Sequence, residues 1–218
     1  MLDPAKIADM VPGLPAKLPA HRPSRRQEII DAAIKVFART GFAETSVQDV
    51  AEEAGVVPTA VYYHFAGKEE LFDVALQTVI AELDEVVDAA RPEGEQGPAA
   101  VSQITTAVWD WIESRPDHAS ILYSHLPGAT KQARVLREQF EQQHVDRAYI
   151  YAREDAGRGR LRSATAMHAA TRLAVRTLIS TSIAVQEMRL EGGPLSRRSP
   201  RALRAALEEV SLRIIALD

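Results

Sequence analysis

The 218-residue chain contains no cysteine. Disulfides, thiol nucleophiles and thiolate metal ligands are therefore excluded, and the core must form without covalent cross-links. A chain of this length buries about 70% of the surface that its unfolded form exposes, so it does not need them. The lack of cysteine also fits a reducing compartment, and we expect a cytoplasmic location.

Long apolar runs are missing as well. A membrane-spanning helix needs ~20 predominantly apolar residues, and no segment approaches that length. The N-terminal residues lack the apolar stretch of a signal peptide, so we expect no membrane partner. The formal net charge of −4 argues against a chain that coats nucleic acid through its overall charge, but it permits a local basic patch.

Five of the 12 prolines lie in residues 1–23, together with several basic residues. Proline fixes φ and lacks a backbone donor, so this stretch is predicted to be an extended arm. Beyond it, helical periodicity dominates and strand-like alternation is absent. The pattern predicts an all-α chain of about nine helices. We expect a helical module at residues 24–67 and a larger helical bundle at residues 68–218.

Two short predicted helices meet at Gly55, and they are the most informative part of the sequence. Thr45 or Ser46 is placed to cap the first, and Pro58 begins the second, where its missing donor costs nothing. A helix-turn-helix needs apolar residues behind both helices, so that the second can enter the ~12 Å wide major groove. The residues that fit are Val47, Val50, Ala51, Val61 and Phe65.

The order of these motifs resembles that of the TetR family of transcriptional regulators. The resemblance covers about residues 24–72 and rests on TSVQDVAEEAGV at 45–56, on VYYHF at 61–65 and on KEEL at 68–71. It implies a homodimer, not an enzyme, whose two modules read a palindromic operator in double-stranded DNA. A small-molecule effector of unidentified structure would release this repressor, and neither a cofactor nor a metal is implied.

The resemblance also implies which side chains meet DNA. Thr45 or Ser46 would bind a phosphate, and Gln48 would reach a base edge or the backbone. Hydroxyl, imidazole and ammonium groups suit phosphate oxygens, and a Gln amide can pair with adenine. The predicted DNA-binding residues are Arg25, Arg26, Thr45, Ser46, Gln48, Thr59, Tyr62, Tyr63, His64 and Lys68.

Two features of the module qualify this prediction. Val57 and Pro58 stand where the family usually has a serine and a basic residue, so contact with thymine methyl groups would replace a phosphate contact. The positive charges of Arg25 and Arg26 lie at the positive end of the dipole of the first helix. This arrangement costs ~0.3–1 kcal/mol for each arginine when it is exposed. Duplex phosphates or the minor groove would offset this cost, and a solvated tail is the alternative.

The larger domain is predicted to pair two copies of the chain. A helix at about residues 163–190 is apolar around most of its circumference, and one at about 199–216 carries an apolar row. Paired across a two-fold axis, they would form a four-helix bundle; the alternative is the internal core of one chain. The predicted interface residues are Leu173, Leu178, Leu203, Leu207, Val210 and Ile214.

Aromatic residues in the middle helices predict an effector cavity lined by Trp109, Tyr123 and Phe140. Ordinary core packing is the alternative interpretation of the same residues.

Two other function classes stay open. Glu141 and His144 have the spacing of di-iron bundle enzymes, but such sites need a second copy of the motif, and the sequence has none. The second alternative is a helical adaptor or ligand-binding protein without DNA binding. It fits the acidic composition, but it has no need for exposed phosphate-binding groups.

Overall fold

The computed structural model describes residues 24–90, 98–123 and 130–155, parts of 172–189, and 193–215. All regular structure in these residues is helical, so the all-α prediction is confirmed. The arm at 1–23 lies outside them. The helices are α1 (Arg25–Glu44), α2 (Val47–Glu53), α3 (Pro58–His64), α4 (Lys68–Ala89), α5 (Pro98–Ser114), α6 (Pro116–Tyr123), α7 (Lys131–Asp155) and α8 (Pro200–Ile215). The described residues between Arg172 and Arg189 are helical too.

Local signals cap the start of α1 and interrupt its last part. The Ser24 hydroxyl accepts a hydrogen bond from the Gln27 backbone N–H at 3.2 Å. The Gln27 side chain donates to Asp31 and does not return to Ser24, so one half of a capping box forms. Gly41, with φ 78° and ψ 166°, interrupts the helix one turn before its last residue, Glu44. Glycine adopts this positive φ without steric cost.

One apolar core joins the N-terminal module to the larger domain. Helix α1 packs against α2, α3, α4 and α6. At its centre, the Phe72 ring of α4 lies 5.0 Å from that of Phe37 and 5.1 Å from that of Phe42. The same core includes Ile121 of α6 and Phe140 of α7. Because close-packed interiors transmit strain, a displacement of α4 or α6 will also act on α1.

Helix α8 packs on α5, which corrects part of the predicted dimer interface. Leu203 and Leu207 are buried against Trp109 in a second, smaller core. Ser211, one turn further along, is fully buried as well. Positions four residues apart lie on one helix face, so this row faces the interior of the chain. Leu203 and Leu207 are therefore not interface residues but internal core.

The other predicted interface residues lie differently. Leu173 is 68% exposed and Val210 is 39% exposed. Leu178 is half-buried, and the side chain of Ile214 lies outside the described residues. The apolar surface that stays open to a partner is therefore narrower than the sequence suggested.

The burial of α8 predicts unequal effects of two substitutions on that helix. Leu207→Ala should lower the free energy of unfolding by ~2–5 kcal/mol, because it empties a packed site. Val210→Ala is the matched control. Because Val210 is partly exposed, this substitution should change the free energy of unfolding by no more than ~0.5 kcal/mol. Urea unfolding monitored by circular dichroism measures both, and a larger loss for Val210→Ala would contradict the assignment of the inner face.

His118 lies where α6 meets α4. Its Nε2 is 3.3 Å from the Glu82 carboxylate, which also lies 3.4 Å from Nε of Arg115. Burial lowers the pKa of His118, and it outweighs the opposing effect of the Glu82 charge. His118 is therefore predominantly neutral at neutral pH.

The lowered pKa predicts how stability depends on pH. The unfolded state, with a His pKa of about 6.5, binds the proton more tightly than the folded state. The contribution of His118 to stability is therefore complete above about pH 6.5 and is lost as the pH falls towards the lowered folded-state pKa. The urea midpoint should fall between pH 7.5 and 5.5, and His118→Gln should reduce that fall. An undiminished fall in the variant would assign the effect to other groups.

Candidate nucleic-acid interface

Helix α3 presents one face to the core and the other to solvent. Val61 and Phe65 are only 1% and 2% exposed, and they anchor the helix. Tyr62 and Tyr63, which lie between them in sequence, are 56% and 83% exposed. Together with the exposed Thr59, they give α3 an outer face of hydroxyl and aromatic groups, which suits contacts to phosphates and base edges.

The turn between α2 and α3 depends on Gly55, which has a φ of +65°. Its N–H donates to the Glu52 carbonyl at 3.0 Å, and the Val56 N–H donates to the Ala51 carbonyl at 2.9 Å. A Cβ at Gly55 would meet no atom within 4 Å. The glycine is therefore required for its left-handed backbone and not for space. Helix α3 then starts after Val57, which offers no side-chain cap.

Ser46 caps α2 through a complete capping box. Its hydroxyl accepts from the Asp49 N–H at 3.2 Å, and the Asp49 carboxylate accepts from the Ser46 N–H at 2.7 Å. The Ser46 hydroxyl also donates to that carboxylate. These side-chain and backbone hydrogen bonds lower the pKa of Asp49. A phosphate at Ser46 would therefore approach an ionised carboxylate.

Thr45 is the one predicted DNA ligand that the structure withdraws from the surface. It is 2% exposed, and its hydroxyl donates to the Gly41 carbonyl at 2.6 Å. The same hydroxyl lies 2.7 Å from that of Thr40. The predicted phosphate contact of Thr45 is therefore corrected, because the group is buried and its hydrogen bonds are made within the chain.

Lys68 connects the start of α4 to the end of α1. Its Nζ donates to the carbonyls of Phe42 at 3.0 Å and Ala43 at 3.2 Å, and it lies 4.7 Å from the Phe42 ring centroid. An ammonium has three donors, so one is left for a phosphate. The sequence did not reveal this structural role, because the partners are backbone carbonyls distant along the chain.

Arg25 and Arg26, in the first turn of α1, have different surroundings. Nη1 of Arg25 lies 2.9 Å from the Glu28 carboxylate. The Arg26 guanidinium lies 5.0 Å from the ring centroid of Phe65, directly after α3. The half-buried His64 ring is 4.9 Å from that of Tyr63. Packing thus brings a cation to the end of α3, which sequence spacing alone did not indicate.

The two other basic residues of the module are paired with an acid. Lys35 and Arg39 of α1 pair with Glu53 of α2 at 3.8 and 3.5 Å. Within residues 24–72, acidic residues outnumber basic ones. A duplex would therefore be held by neutral donors, such as the exposed Gln48, and by a few cations instead of a broad basic surface.

The three aromatic residues predicted to line an effector cavity do not come together. Trp109 lies in the small core with Leu203 and Leu207. Phe140 belongs to the large core that includes α1 and α4. The side chain of Tyr123 lies outside the described residues. The predicted set is therefore corrected, because α5 and α7 direct Trp109 and Phe140 into separate cores.

No group of three or more metal-ligating side chains occurs in the part of the chain that the structure describes. Glu141 pairs with Arg176 at 2.6 Å, and Nδ1 of His144 lies 3.0 Å from the Phe140 carbonyl. The side chains of Glu141 and His144 are therefore both engaged in interactions within the chain. Among the described helices, none is long and apolar enough to cross a membrane.

Two short helices fixed by a glycine turn, with anchors buried and a polar aromatic face exposed, define a helix-turn-helix protein. Residues 29–75 match the family described as bacterial regulatory proteins, tetR family. Residues 29–75 are thus similar to the N-terminal module of this family, and the resemblance found in the sequence is confirmed.

Curated relatives support the same assignment. The transcriptional regulator BetI of Brucella anthropi is 37% identical over 68 residues, which are 31% of this chain and 35% of that protein. The transcriptional repressor NicS of Pseudomonas putida is 27% identical over 97 residues, 44% of this chain and 46% of the relative. The match thus spans about a third to a half of the length of these relatives. They are transcriptional regulators and not enzymes.

Solved structures extend the likeness to the larger domain. A tetR-family regulatory protein from Rhodococcus has a TM-score of 0.72 at 21% identity, covering 89% of this chain and 98% of that one. The ketosteroid transcriptional regulator KstR2 of Mycobacterium tuberculosis has a TM-score of 0.66 at 21% identity, covering 88% and 95%. At these identities the likeness shows the fold, an N-terminal helix-turn-helix followed by a helical domain.

The capping box of α2 provides a test of what stabilises the helix-turn-helix. Ser46→Ala should lower the free energy of unfolding by ~0.5–2 kcal/mol, because two hydrogen bonds at the helix start lose their partner. Ser46→Thr is the matched control, since threonine also caps. Chemical denaturation measures both variants, and equal losses would show that the cap does not stabilise α2.

Proposed function

We propose that the chain is a homodimeric transcriptional regulator that represses at a palindromic operator in double-stranded DNA and is released by a small-molecule effector. It acts in the cytoplasm and uses no cofactor or metal. The observation that carries the proposal is the orientation of α3. Tyr62 and Tyr63 face solvent, while Val61 and Phe65 fix the helix from behind.

Each part of the exposed face has a chemical role in this proposal. Tyr63 and Thr59 meet base edges or backbone from α3, and Gln48 approaches from α2. Tyr62, His64 and Ser46 are assigned to phosphates. The arginines at the start of α1 and the remaining donor of Lys68 supply the positive charge. Val57, which is 64% exposed, would meet thymine methyl groups, and a binding-site selection without base preference at that position would exclude this contact.

We infer dimerisation from the short length of α3. One short helix contacts few base pairs, so two modules on half-sites about 34–36 Å apart would be needed for specificity. The exposed apolar side chains of Leu173 and Val210, with Met188 at 36% exposure, offer a surface for the second copy. This surface replaces the wider interface predicted from the sequence.

Effector release would act through the shared core. The Ser120 hydroxyl of α6 lies 3.5 Å from the Ala38 carbonyl of α1, and α4 packs on α1, α5, α6 and α7. A ligand that moves α4 or α6 would therefore shift α1 and change the spacing of the two modules. In this proposal, residues 24–67 form the DNA-binding domain and residues 68–218 the effector and dimerisation domain.

Tyr63, the more exposed of the two tyrosines of α3, provides the direct test of DNA binding. Tyr63→Ala should weaken binding to the promoter region of the protein's own gene by roughly ten-fold or more, the effect of losing one interface contact worth ~1–3 kcal/mol. Fluorescence anisotropy at one fixed salt concentration measures this. The unfolding midpoint should stay unchanged, because the side chain is 83% exposed.

The control is Val135→Ala, a 43% exposed apolar position on α7. It should leave DNA binding unchanged. If the unmodified protein fails to bind its promoter region or any duplex selected from a random pool, the adaptor alternative is favoured, and the excess of acidic residues in the module would be its explanation.

A further inference from the structure

A guanidinium group in the larger domain is partly buried, and no compensating charge lies beside it among the described residues. Arg137 lies on α7, and its Nη2 donates to the Ile121 carbonyl of α6 at 3.0 Å. Its Nε is buried and has no hydrogen-bond partner in the described structure. The contrast with Arg172 and Arg176 is clear, since both of these lie beside the Glu141 carboxylate.

The position of Arg137 is electrostatically unfavourable as it stands. Burial lowers the pKa of the guanidinium, and no charge in the described part of the chain opposes that shift. An arginine nevertheless stays protonated in proteins, so the positive charge persists in a partly desolvated site. A buried charge is normally compensated by an opposite charge or by a full set of hydrogen bonds. Within the described structure Arg137 has one hydrogen bond, to a neutral carbonyl, and an anion would complete its surroundings.

A second unsatisfied donor belongs to the same part of the molecule. Trp111 of α5 is 4% exposed, and its indole N–H has no acceptor in the described residues. Trp111 packs in the same apolar core as Ile121 and Phe140, and both α5 and α7 lie against α4. Two helices that pack on α4 thus each carry a buried donor without an acceptor among the described residues. A ligand that supplies acceptor oxygens on an apolar body matches this combination.

We propose that Arg137 binds the acidic group of the effector, and that the effector is an amphipathic acid with a carboxylate or phosphate head on an apolar body. Trp111 supplies the second donor. The inference depends on the proposed function for its regulatory meaning, but binding at Arg137 does not require DNA. An anion at Arg137 competes with the Ile121 carbonyl for the guanidinium. It therefore loosens the hold of α7 on α6, the helix that packs on α1.

The test uses three ten-carbon probes that differ in the head group: sodium decanoate, decyl phosphate and decanol. Binding to the full chain is followed by the thermal unfolding midpoint and by tryptophan fluorescence. At least one anionic probe should bind saturably and raise the midpoint, while decanol should bind more weakly. The better of the two anions identifies the head group. Equal binding of decanol, or no saturable binding of either anion, would overturn the proposal.

Substitutions assign the binding to Arg137. Arg137→Met should weaken binding of the anionic probe by roughly ten-fold or more, since a charge-assisted hydrogen bond is lost, and Arg137→Lys should keep part of it. Trp111→Phe should weaken binding by a smaller factor. Arg134→Met, one turn away at an exposed position, is the matched control and should not change it. Unchanged binding in Arg137→Met would place the site elsewhere and overturn the assignment.

The stability of the unliganded protein separates a ligand role from a structural one. If Arg137 is an uncompensated charge, Arg137→Met should leave the urea midpoint unchanged or raise it, because replacing a buried charge by an apolar side chain is often neutral or stabilising. If the hydrogen bond to Ile121 is the main function of Arg137, the midpoint should fall, and the proposal would be overturned.

A DNA-binding assay keeps this proposal distinguishable from the proposed function. The anionic probe should release promoter DNA from the unmodified protein but not from Arg137→Met. If the unmodified protein binds no DNA and yet binds the probe through Arg137, the anion site stands and the regulator assignment fails. If DNA is bound but no probe acts through Arg137, the regulator assignment stands and the anion site fails.

Discussion

The aromatic cluster formed by Phe37, Phe42 and Phe72 is the contact on which the rest of the structure depends. It packs the end of α1 against the start of α4 and lies in a core that continues to α6 and α7. Close-packed interiors respond to strain by shifting whole elements and not by local compression. The module that carries α3 therefore cannot reorient independently of the larger domain. A movement in the larger domain would therefore reach the exposed face of α3 through α1 and the helices that pack on it.

Much of the fold could be predicted from sequence because local rules decide it. Ser46 caps α2, Gly55 makes the following turn through its positive φ, and Pro58 begins α3. Each of these effects depends on a few neighbouring residues. The resemblance to the TetR family implied that Tyr62 and Tyr63 face outwards, and both side chains are exposed.

The errors share a different physical origin. A helical row shows that Leu203 and Leu207 are buried together, but it does not show whether the covering helix belongs to the same chain or to another. Thr45 is a good capping residue by type, yet the adjacent Ser46 takes the cap and Thr45 turns inwards to Gly41. The contact of Arg26 with Phe65 arises only from tertiary packing. Periodicity shows which face of a helix is buried, whereas tertiary packing decides which helix covers that face.

In the proposed DNA-binding role, the scarcity of unpaired cations around α3 has a consequence for the search along a genome. Each neutralised phosphate steepens the salt dependence of binding and strengthens attachment to arbitrary sequence. A face that relies on tyrosine, threonine and glutamine, with Lys35 and Arg39 already paired to Glu53, gains little from random duplex. Such a protein would spend less time on competing sites, and its occupancy of a cognate site would vary little with intracellular ionic strength.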